Sequence, residues 1–407
     1  MKWVKLVRAE YDENLHYIKL HKLKPMITNF NEKIFFYCYP SSGNHIDTAF
    51  QHLIICIAEG LKELGIPFYS NIDYWQESPE TDQYLFRHNP DVTPDDCSIV
   101  VLQHDWFCYG RGIPENLFHA NRNYTTVYLD GQDGNKTFSF LPEFKQFDLI
   151  FKTHYTSKFN YPSNAYPWAF GLSNRVIREM QEIPKFLDRN KLIIVNYRND
   201  RMFIHSVRKY TNKKVLPLLR NFLPALNFID NTPPSDTYHY LHWIQTAQRH
   251  YPSYYKRLKE SAACACFGGF FVPPWPKDQS SRMSRLVKRL LSELGLKSKT
   301  IVQWDSWRLW ETLAAGCVAF HVDFDKYGFT PPVKPRNWQH YIGIDLDNIQ
   351  ATIDRLEEEP ASLERIANQG RNWAIEHYSP VPTALRFLET VSKKRLSSAT
   401  TSCQQTI

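Results

Sequence analysis

A series of short apolar runs, separated by polar loops and amphipathic segments, constrains the fold of this chain more than any other feature. In the first half these runs are Ile34–Cys38, Pro67–Ser70, Ser98–Gln103, Thr125–Asp130 and Leu149–Lys152. Strands that are buried on both faces have this appearance, and parallel strands need a crossover segment between them. The pattern therefore predicts a largely parallel α/β sheet, with a long helix from about residue 45 to Leu64 after the first strand.

The same alternation returns in the second half, after a segment that is rich in proline and aromatic residues. The later runs are Lys191–Asn196, Ala262–Phe267, Cys317–Val322 and Tyr341–Asp345. We expect the intervening segment 161–171 to form neither helix nor strand. Because 407 residues exceed one ordinary hydrophobic core, we predict two domains, 1–172 and 173–393, and a disordered polar tail at 394–407.

Charge and cysteine usage narrow the classes of partner. The formal net charge of +7 favours anionic partners such as nucleotide-sugars, phosphorylated glycolipids or an anionic membrane face. No nucleic-acid motif accompanies the charge, so no nucleic-acid partner is expected. The eight cysteines form no C-x-x-C pair, which favours reduced thiols over disulfides or zinc. With no secretion-signal core or membrane-spanning apolar run in the sequence, we predict a cytoplasmic protein.

The segment Ser281–Leu294 combines an apolar stripe with a cluster of basic residues. Its charges are Arg282, Arg285, Lys288 and Arg289. A basic amphipathic helix can lie on an anionic membrane surface, which would place the protein peripherally at the inner membrane face. Such a stripe more often packs into a core, and the first two arginines could instead face the phosphates of a ligand.

The segment Trp304–Cys317 carries the most informative functional pattern. Asp305 or Ser306 can cap a helix there, and Arg308 and Glu311 would share one face of its first turns. A guanidinium and a carboxylate near a helix N-terminus, beside an α/β sheet, suit a ligand that has both hydroxyls and phosphates. The simpler interpretation is an amphipathic helix with an ordinary ion pair between residues three positions apart.

This segment resembles the donor-binding block of GT-B glycosyltransferases of the family-1 type, whose pattern is roughly R-x-x-E-A/T-x-A-x-G-C/V. A later stretch, IANQGRNWAIEHYS from Ile366, is similar to the terminal signature of those enzymes and of their CgeB-like relatives. The resemblance covers roughly residues 300–390. It implies two Rossmann-like domains facing across a cleft, with a C-terminal helix that crosses back to the first domain.

The resemblance implies a glycosyltransferase, with a hexosyl group expected to pass from a nucleotide-sugar to a glycan or glycolipid, as in polysaccharide biosynthesis. In that family a glutamate at the position of Glu311 accepts hydrogen bonds from the ribose hydroxyls. Arg308 and a loop arginine, Arg198 or Arg201, would bind the diphosphate, because a guanidinium binds phosphate oxygens in bidentate fashion. The nucleotide-sugar is a substrate, and no cofactor is expected.

Retaining members of the family carry a second glutamate eight positions before the ribose-binding one. Gln303 stands at that position here, and Asp305 is the nearest carboxylate. The donor pocket would thus hold one charge fewer than in retaining enzymes. Whether the reaction retains or inverts the configuration is left open by this departure.

In inverting GT-B enzymes a first-domain histidine or carboxylate takes the proton of the acceptor hydroxyl. His45, which follows the loop Ser41–Asn44, is one candidate, because imidazole titrates near neutral pH. Asp130, at the end of a predicted strand, is the competing candidate, although an aspartate before glycine is also common in turns. His154, at the end of another strand, is the third.

Asp323 and Asp325 form a D-x-D sequence after an apolar strand. GT-A glycosyltransferases hold a divalent metal and the donor diphosphate with this pattern. Too little chain follows it here to build an acceptor half, so we predict a metal-independent enzyme. The principal alternative is a non-catalytic carbohydrate- or nucleotide-binding protein on the same fold, and a nucleic-acid-binding protein, suggested by charge alone, is the third reading.

Overall fold

The structure is a computed structural model that describes residues 32–39, 50–108, 111–133, 141–198, 204–272 and 300–404, and the single positions 283, 286, 287 and 290. Its architecture rests on two parallel sheets of six and five strands, each flanked by helices. The predicted α/β class with two Rossmann-like domains is therefore confirmed. Residues 45–49 of the first predicted helix lie outside the described residues, and the helix that the structure describes begins at His52.

The first domain is built around an all-parallel sheet. Its strands are β1 (Ile34–Tyr37), β2 (Phe68–Ser70), β3 (Tyr74–Gln76), β4 (Tyr84–Phe86), β5 (Ile99–Gln103), β6 (Thr125–Asp130), β7 (Leu149–Lys152) and β8 (Ala165–Pro167), and its first helices are α1 (His52–Leu64) and α2 (His104–Cys108). The sheet order is β2-β1-β5-β6-β7-β8, and β3 and β4 form a separate antiparallel hairpin. Helix α1 ends where Gly65 adopts a left-handed conformation, with φ of 71°, as its sequence predicts.

The second domain repeats this plan. Its strands are β9 (Asn190–Val195), β10 (Ala225–Asn227), β11 (Ser261–Ala265), β12 (Phe270–Phe271), β13 (Ile301–Val302), β14 (Val318–Val322) and β15 (Ile342–Ile344). Its helices are α3 (Asn174–Glu179), α4 (Ser206–Lys214), α5 (Leu216–Leu219), α6 (Thr237–Gln245), α7 (Pro252–Glu260), α8 (Trp307–Ala314), α9 (Phe324–Tyr327), α10 (Ile349–Glu358) and α11 (Ser362–Tyr378). The sheet order is β10-β9-β11-β14-β15, all parallel, while β12 and β13 pair antiparallel.

A last helix, α12 (Pro380–Gln404), returns from the second domain to the first. Its side chains Phe387, Leu388 and Val391 are buried in the first-domain core together with residues of α1. Gly60 of α1 permits this close approach, because a Cβ atom there would lie 2.1 Å from the Pro380 carbonyl oxygen. The first domain therefore contains chain from both sides of the second.

Two expectations about irregular segments were wrong. The proline-rich segment 161–171 contains β8, which pairs with β7 at the edge of the sheet and ends at Pro167, a position where a missing N–H is tolerated. The tail expected to be disordered is helical to Gln404. Arg395 explains part of this order, because its guanidinium donates to Thr125 Oγ1 (2.7 Å) and also binds the Ser98 carbonyl and Glu32.

Polar contacts join the two domains at the carboxyl ends of the first-domain strands. The Trp304 indole donates to the Tyr155 carbonyl at 3.1 Å, and the Asp305 N–H donates to His154 Nδ1 at 3.0 Å. On α1, Glu59 accepts from the Asn174 N–H at 2.7 Å. The carboxyl-end edge of the first sheet therefore faces the segment that precedes α8.

The cysteines and helix lengths of the described chain complete this picture. The thiols of six residues are free and buried, namely Cys38, Cys56, Cys97, Cys264, Cys266 and Cys317. Burial raises the pKa of Cys38 and Cys317 well above the usual thiol value. Within the described residues, no helix is long and apolar enough to cross a membrane.

Candidate active site

The second sheet has a topological switch point between β9 and β11, where successive crossover connections leave in opposite directions along the sheet. In open α/β sheets, ligands bind beyond the carboxyl ends of the strands at such a point. Tyr197 and Arg198 follow β9, and the Phe267-Gly268-Gly269 turn follows β11. Helix α8 begins beside them, so the predicted donor segment lies at the ligand edge of the sheet.

Two guanidinium groups converge on one aromatic ring at this edge. The Arg308 and Arg208 guanidinium carbons lie 5.5 Å and 5.4 Å from the Tyr197 ring centroid. Arg208 is held by hydrogen bonds from Nε to the Phe267 carbonyl (3.1 Å) and from Nη1 to the Arg198 carbonyl (3.0 Å). Burial, and then the charge of Arg308, lower the pKa of Arg208 to about 10. Like charges held this close favour an anion between or beside them.

Arg308 retains unused hydrogen-bonding capacity at this point. Its Nε–H is buried without a hydrogen-bond partner in the described chain. Buried donors are seldom left unpaired, and each such group in a native fold calls for an explanation such as a missing ligand. Arg198 is exposed next to this cluster, while Arg201 lies outside the described residues. Sequence inspection did not single out Arg208, although its place after the β9 loop was a usable signal.

Glu311 lies on the buried face of α8, with 8% of its surface exposed. Its Oε1 accepts a hydrogen bond from the Tyr255 hydroxyl at 3.1 Å. Burial raises the pKa of Glu311, and the positive charge of Arg175, the Tyr255 hydrogen bond and Arg308 oppose that rise. The two predicted ligands thus diverge from one helix, Arg308 towards Tyr197 and Glu311 towards Tyr255.

Arg175, at the start of α3, supports Glu311 through Tyr255. Its Nη1 lies 2.6 Å from both the Tyr255 hydroxyl oxygen and His250 Nδ1, and its guanidinium carbon is 5.7 Å from the Phe50 ring centroid. Tyr255 therefore accepts from Arg175 and donates to Glu311. No sequence motif identifies Arg175 or Tyr255, because α3, α7 and α8 come together only in the folded chain.

The same network continues to Glu179, His239 and His250, whose ligand atoms lie within 4.8 Å of one another, the spacing of a metal site. A metal-bound histidine normally donates its second ring N–H to a carboxylate or carbonyl. At His250 that second nitrogen instead accepts from the Arg175 guanidinium, so Nε2 carries the proton towards Glu179 at 3.3 Å. The two ring nitrogens of His250 are therefore better suited to a hydrogen-bonded network than to binding a cation.

Asp305 and Gln303 lie in the strained turn that leads into α8. The Asp305 carboxylate accepts from the Phe170 N–H (3.0 Å) and from the Trp310 indole (2.7 Å), and burial raises its pKa to about 6. Gln303 has a left-handed backbone with φ of 58°. Ser306 occupies the N-cap position of α8, one of the two predicted caps, but its side chain makes no capping bond. Asp305 lies before that position, and its two oxygens bond Phe170 and Trp310 instead.

In the first domain, Asp130 has no exposed surface, and its Oδ1 lies 3.3 Å from Nζ of Lys152, which is also buried. Burial lowers the pKa of Lys152, and the Asp130 charge opposes that shift. The prediction that Asp130 is the base therefore requires this ion pair to open. His45, the other candidate, lies outside the described residues.

His154 is buried just beyond β7, with a left-handed backbone (φ of 55°). Its Nδ1 accepts from the Asp305 N–H, and its Nε2 lies 3.1 Å from Asp133 Oδ1. Because Nδ1 is an acceptor, the ring proton of the neutral histidine is on Nε2 and points to Asp133. His154 thus orients a neighbouring carboxylate and connects it to the donor segment.

The D-x-D residues have structural partners. Asp323 caps α9 by accepting from the Lys326 N–H at 2.8 Å, and its second oxygen accepts from the Asn337 amide at 2.6 Å. Asp325 is exposed and pairs with Lys334 at 2.6 Å. The two carboxylates therefore bond different neighbours. In sequence they follow β14, whereas Arg308 precedes it.

The chain is similar in structure to several solved glycosyltransferases. One is an alpha-glucosyltransferase in complex with UDP and a 13-mer DNA, at 10% identity, with 89% of this chain and 100% of that chain covered and a TM-score of 0.46. A glycosyltransferase from Rickettsia africae has 11% identity, coverage of 89% and 99%, and a TM-score of 0.44. AviGT4, a glycosyltransferase involved in avilamycin A biosynthesis, has 9% identity, coverage of 88% and 96%, and a TM-score of 0.41.

No family model and no curated protein matches the sequence. The resemblance of residues 300–390 to family-1-type and CgeB-like enzymes therefore stays a prediction. The chain's own topology shows the architecture itself: two Rossmann-like domains that face each other across a cleft, the arrangement called GT-B.

Proposed function

We propose that this protein is a glycosyltransferase that moves a sugar from a nucleotide-sugar to a hydroxyl of a glycan or glycolipid. One arrangement of side chains carries the proposal. The Arg208 and Arg308 guanidinium groups lie against Tyr197 at the switch point of the second sheet, and the buried carboxylate of Glu311 lies on another face of α8. A nucleotide-sugar offers the matching features, because it joins a diphosphate to ribose hydroxyls.

In this proposal the second domain binds the donor. Arg308 and Arg208, with Arg198 at the entrance, bind the diphosphate, and Glu311 accepts hydrogen bonds from the ribose. Asp305 and Gln303 shape the turn next to the sugar. As the bond to the sugar breaks, negative charge grows on the leaving phosphate, and fixed guanidinium groups stabilise it without reorganisation. The first domain supplies the acceptor site and the base, for which His45 and Asp130 remain the sequence-based candidates.

A membrane-associated acceptor is supported by the described positions of the segment 281–294. Of these, the apolar side chains Met283, Leu286 and Leu290 are 72%, 59% and 49% exposed, so these three are not packed into a core. Exposed apolar side chains at helical spacing among basic residues fit the face of an anionic membrane. We therefore propose a cytoplasmic enzyme that contacts the membrane peripherally.

A screen of nucleotide-sugars by thermal unfolding tests the proposal. A ligand that binds only the folded state raises the melting temperature, by an amount equivalent to about 2.7 kcal/mol at a hundred times its dissociation constant. We expect one nucleoside diphosphate and its sugars to protect the protein, without added metal, and Arg308→Gln to lose that protection. Protection by no nucleotide-sugar would contradict the proposal.

The rival functions give different results in the same samples. A non-catalytic binding protein on this fold would be protected by the nucleotide-sugar but would never release the nucleotide from it. A nucleic-acid-binding protein would bind DNA or RNA with a steep dependence on salt, because bound phosphates release counterions. We expect neither pattern.

A further inference from the structure

We propose that Asp133, oriented by His154, is the catalytic base that removes the proton from the acceptor hydroxyl. This inference rests on the proposed function and deepens it, because it assigns the first-domain residue that the sequence left open. It also predicts that the reaction inverts the configuration of the anomeric carbon.

Asp133 lies in the loop that follows β6, at the carboxyl-end edge of the first sheet. Its side chain is 63% exposed and bonds His154, whose side chain is only 1% exposed. Asp130, three positions earlier, has no exposed surface and faces Lys152 instead. The carboxylate of this loop that an acceptor hydroxyl can reach is therefore Asp133.

The orientation of Asp133 is fixed from the second domain. The Asp305 N–H occupies His154 Nδ1, so His154 donates from Nε2 to Asp133 Oδ1 at 3.1 Å. Asp305 is itself fixed by Phe170 and Trp310 just before α8. One carboxylate oxygen is thus oriented by a rigid donor, and the other can accept a proton from a hydroxyl. A base positioned this way needs no rearrangement before it acts.

Asp133 also acts electrostatically on the proposed diphosphate site. Its charge opposes the fall in the pKa of Arg208, which forms the arginine cluster of the second domain together with Arg308. The acceptor hydroxyl would thus enter between a carboxylate on one wall and the leaving phosphate on the other. Nucleophile and leaving group then lie on opposite sides of the anomeric carbon, the geometry of an in-line displacement.

The other described groups at this edge are less suited to the role. His52, on α1, has a buried Nδ1 without a hydrogen-bond partner, but burial and then the Arg175 charge lower its pKa to about 3. Asp105 bonds the side chain of Gln103 and lies 3.4 Å from His104.

Burial alone would raise the pKa of Asp133, but the His154 hydrogen bond and the Lys152 charge keep it below the usual carboxylate value.

The chemical step is balanced with these groups. The acceptor oxygen attacks the anomeric carbon while its proton passes to Asp133. The bond from that carbon to the diphosphate oxygen breaks, and its electron pair remains on the phosphate, next to Arg308 and Arg208. Asp133 then returns its proton to water, and the sugar is left with inverted configuration.

The first test replaces Asp133 and uses acceptors that are known in advance. With an α-configured nucleotide-sugar that the wild type hydrolyses, Asp133→Asn should lower nucleotide release by about 10²–10⁴-fold at unchanged donor affinity. Sodium azide needs no deprotonation, so it should restore nucleotide release in Asp133→Ala and yield a β-glycosyl azide. Asp82→Asn, a change of an exposed carboxylate outside this loop, is the matched control and should retain wild-type turnover.

The pH profile separates Asp133 from a histidine base. Because its pKa is below the usual value, Asp133 stays deprotonated in mild acid, and wild-type kcat should stay level from pH 8 to about pH 5. A histidine base at His45 would instead lose activity below about pH 6.5. A profile that falls near that pH, or an α-glycosyl azide product, would overturn the assignment of Asp133.

Failure of this inference can be told from failure of the proposed function. A wild type that hydrolyses the donor, together with a folded Asp133→Asn variant of normal turnover, removes the base assignment but leaves the donor site intact. A wild type that binds no nucleotide-sugar removes both. Folding of each variant is checked by its melting temperature, and Asp133→Asn keeps the shape of the side chain, so a loss of fold is not expected.

Discussion

At the scale of single residues, the candidate site is defined by the hydrogen-bonding groups of each side chain that remain available to a ligand. Arg308 has a buried Nε–H without a partner in the described chain, and Glu311 has one oxygen bonded to Tyr255. Asp305, also predicted as a ligand, has both oxygens bonded to the protein. In the proposed function, Arg308 and Glu311 therefore remain the candidates for donor binding, whereas both Asp305 oxygens are bonded within the protein.

Replacement of Glu311 by glutamine tests the ribose contact. The amide oxygen can still accept from Tyr255, so the fold should persist, whereas Glu311→Ala would leave Arg175 without its buried carboxylate. Loss of charged hydrogen bonds to the ribose, each worth about 1.5–3 kcal/mol, should weaken binding of the nucleoside diphosphate about tenfold or more. Isothermal titration measures this, and unchanged affinity in a folded Glu311→Gln variant would remove the residue from the site.

Replacement of Arg308 by glutamine tests the diphosphate contact. A guanidinium–phosphate bond is charge-assisted, so the variant should bind the nucleoside diphosphate about tenfold more weakly, with a smaller loss for the nucleoside alone. Arg220→Gln, which removes an exposed arginine of the same domain, is the control and should bind as the wild type does. Equal losses for nucleotide and nucleoside would point to a general distortion of the site.

At the scale of elements, the buried strands were predicted well from the sequence, whereas a helix break and an edge strand were not. Thr125–Asp130 and Leu149–Lys152 were predicted with their observed bounds, because a strand buried on both faces is continuously apolar. The helical segment that follows β9 is broken into α4 and α5 at Val215, ahead of Pro217. Edge strand β8 was missed because exposure and proline hide the pattern.

In the candidate site, too, local features were predicted better than long-range ones. Glu311 and Arg308 share one local motif, so a short pattern was enough to place both on α8, although their side chains diverge from it. Arg208, Tyr255 and Arg175 belong to three other helices, and their convergence depends on sheet order and helix packing. His154 was identified only by its position after a strand, and its partners Asp133 and Asp305 come from different domains. Long-range pairings of this kind leave no local trace in a sequence.

The contact between α1 and α3 has a pH dependence that can be measured. Burial raises the pKa of Glu59 to about 8, although the Asn174 N–H opposes the shift. The folded protein thus holds a proton that the unfolded chain loses near pH 4.5, so this stabilising contribution is complete below that pH and lost as pH rises through about 8. Glu59→Gln, which is always neutral, should gain stability over the wild type at pH 9 but little at pH 5.

Chemical denaturation at the two pH values measures this difference. Glu115→Gln is the matched control, because Glu115 is an exposed glutamate that takes no part in the contact between α1 and α3. Its difference from the wild type should be the same at pH 5 and pH 9. A Glu59→Gln variant with the same constant difference would show that Glu59 is ionised throughout in the folded protein.

At the scale of the whole molecule, the domains are coupled both by the chain and by polar contacts. Helix α12 returns to the first-domain core, and the pair His154–Asp305 joins the two carboxyl-end edges. Closure of such a cleft excludes water, which would otherwise hydrolyse the donor. The proposed base and the proposed leaving-group site belong to different domains, so we expect transfer to depend on their relative position.

The proposed peripheral membrane contact is also tested on the whole protein. The protein should co-sediment with vesicles of phosphatidylglycerol and phosphatidylcholine, and not with phosphatidylcholine alone, since the charge of +7 adds to the exposed apolar stripe. Leu286→Glu with Leu290→Glu should abolish this binding. Leu187→Glu, at a leucine 77% exposed elsewhere, should leave it unchanged. Equal binding by all three proteins would contradict the membrane contact.

The central claim is that the cleft transfers a sugar from a bound nucleotide-sugar, and release of the nucleoside diphosphate tests it most directly. The nucleotide-sugar that best protects the protein against unfolding is incubated with it, with water as the acceptor and without metal, and the released nucleotide is measured over time. We expect steady release by the wild type, a large loss in Glu311→Gln and Arg308→Gln, and wild-type release in Arg220→Gln. Tight binding of the nucleotide-sugar with no release above the uncatalysed rate would contradict the account and identify a binding protein instead.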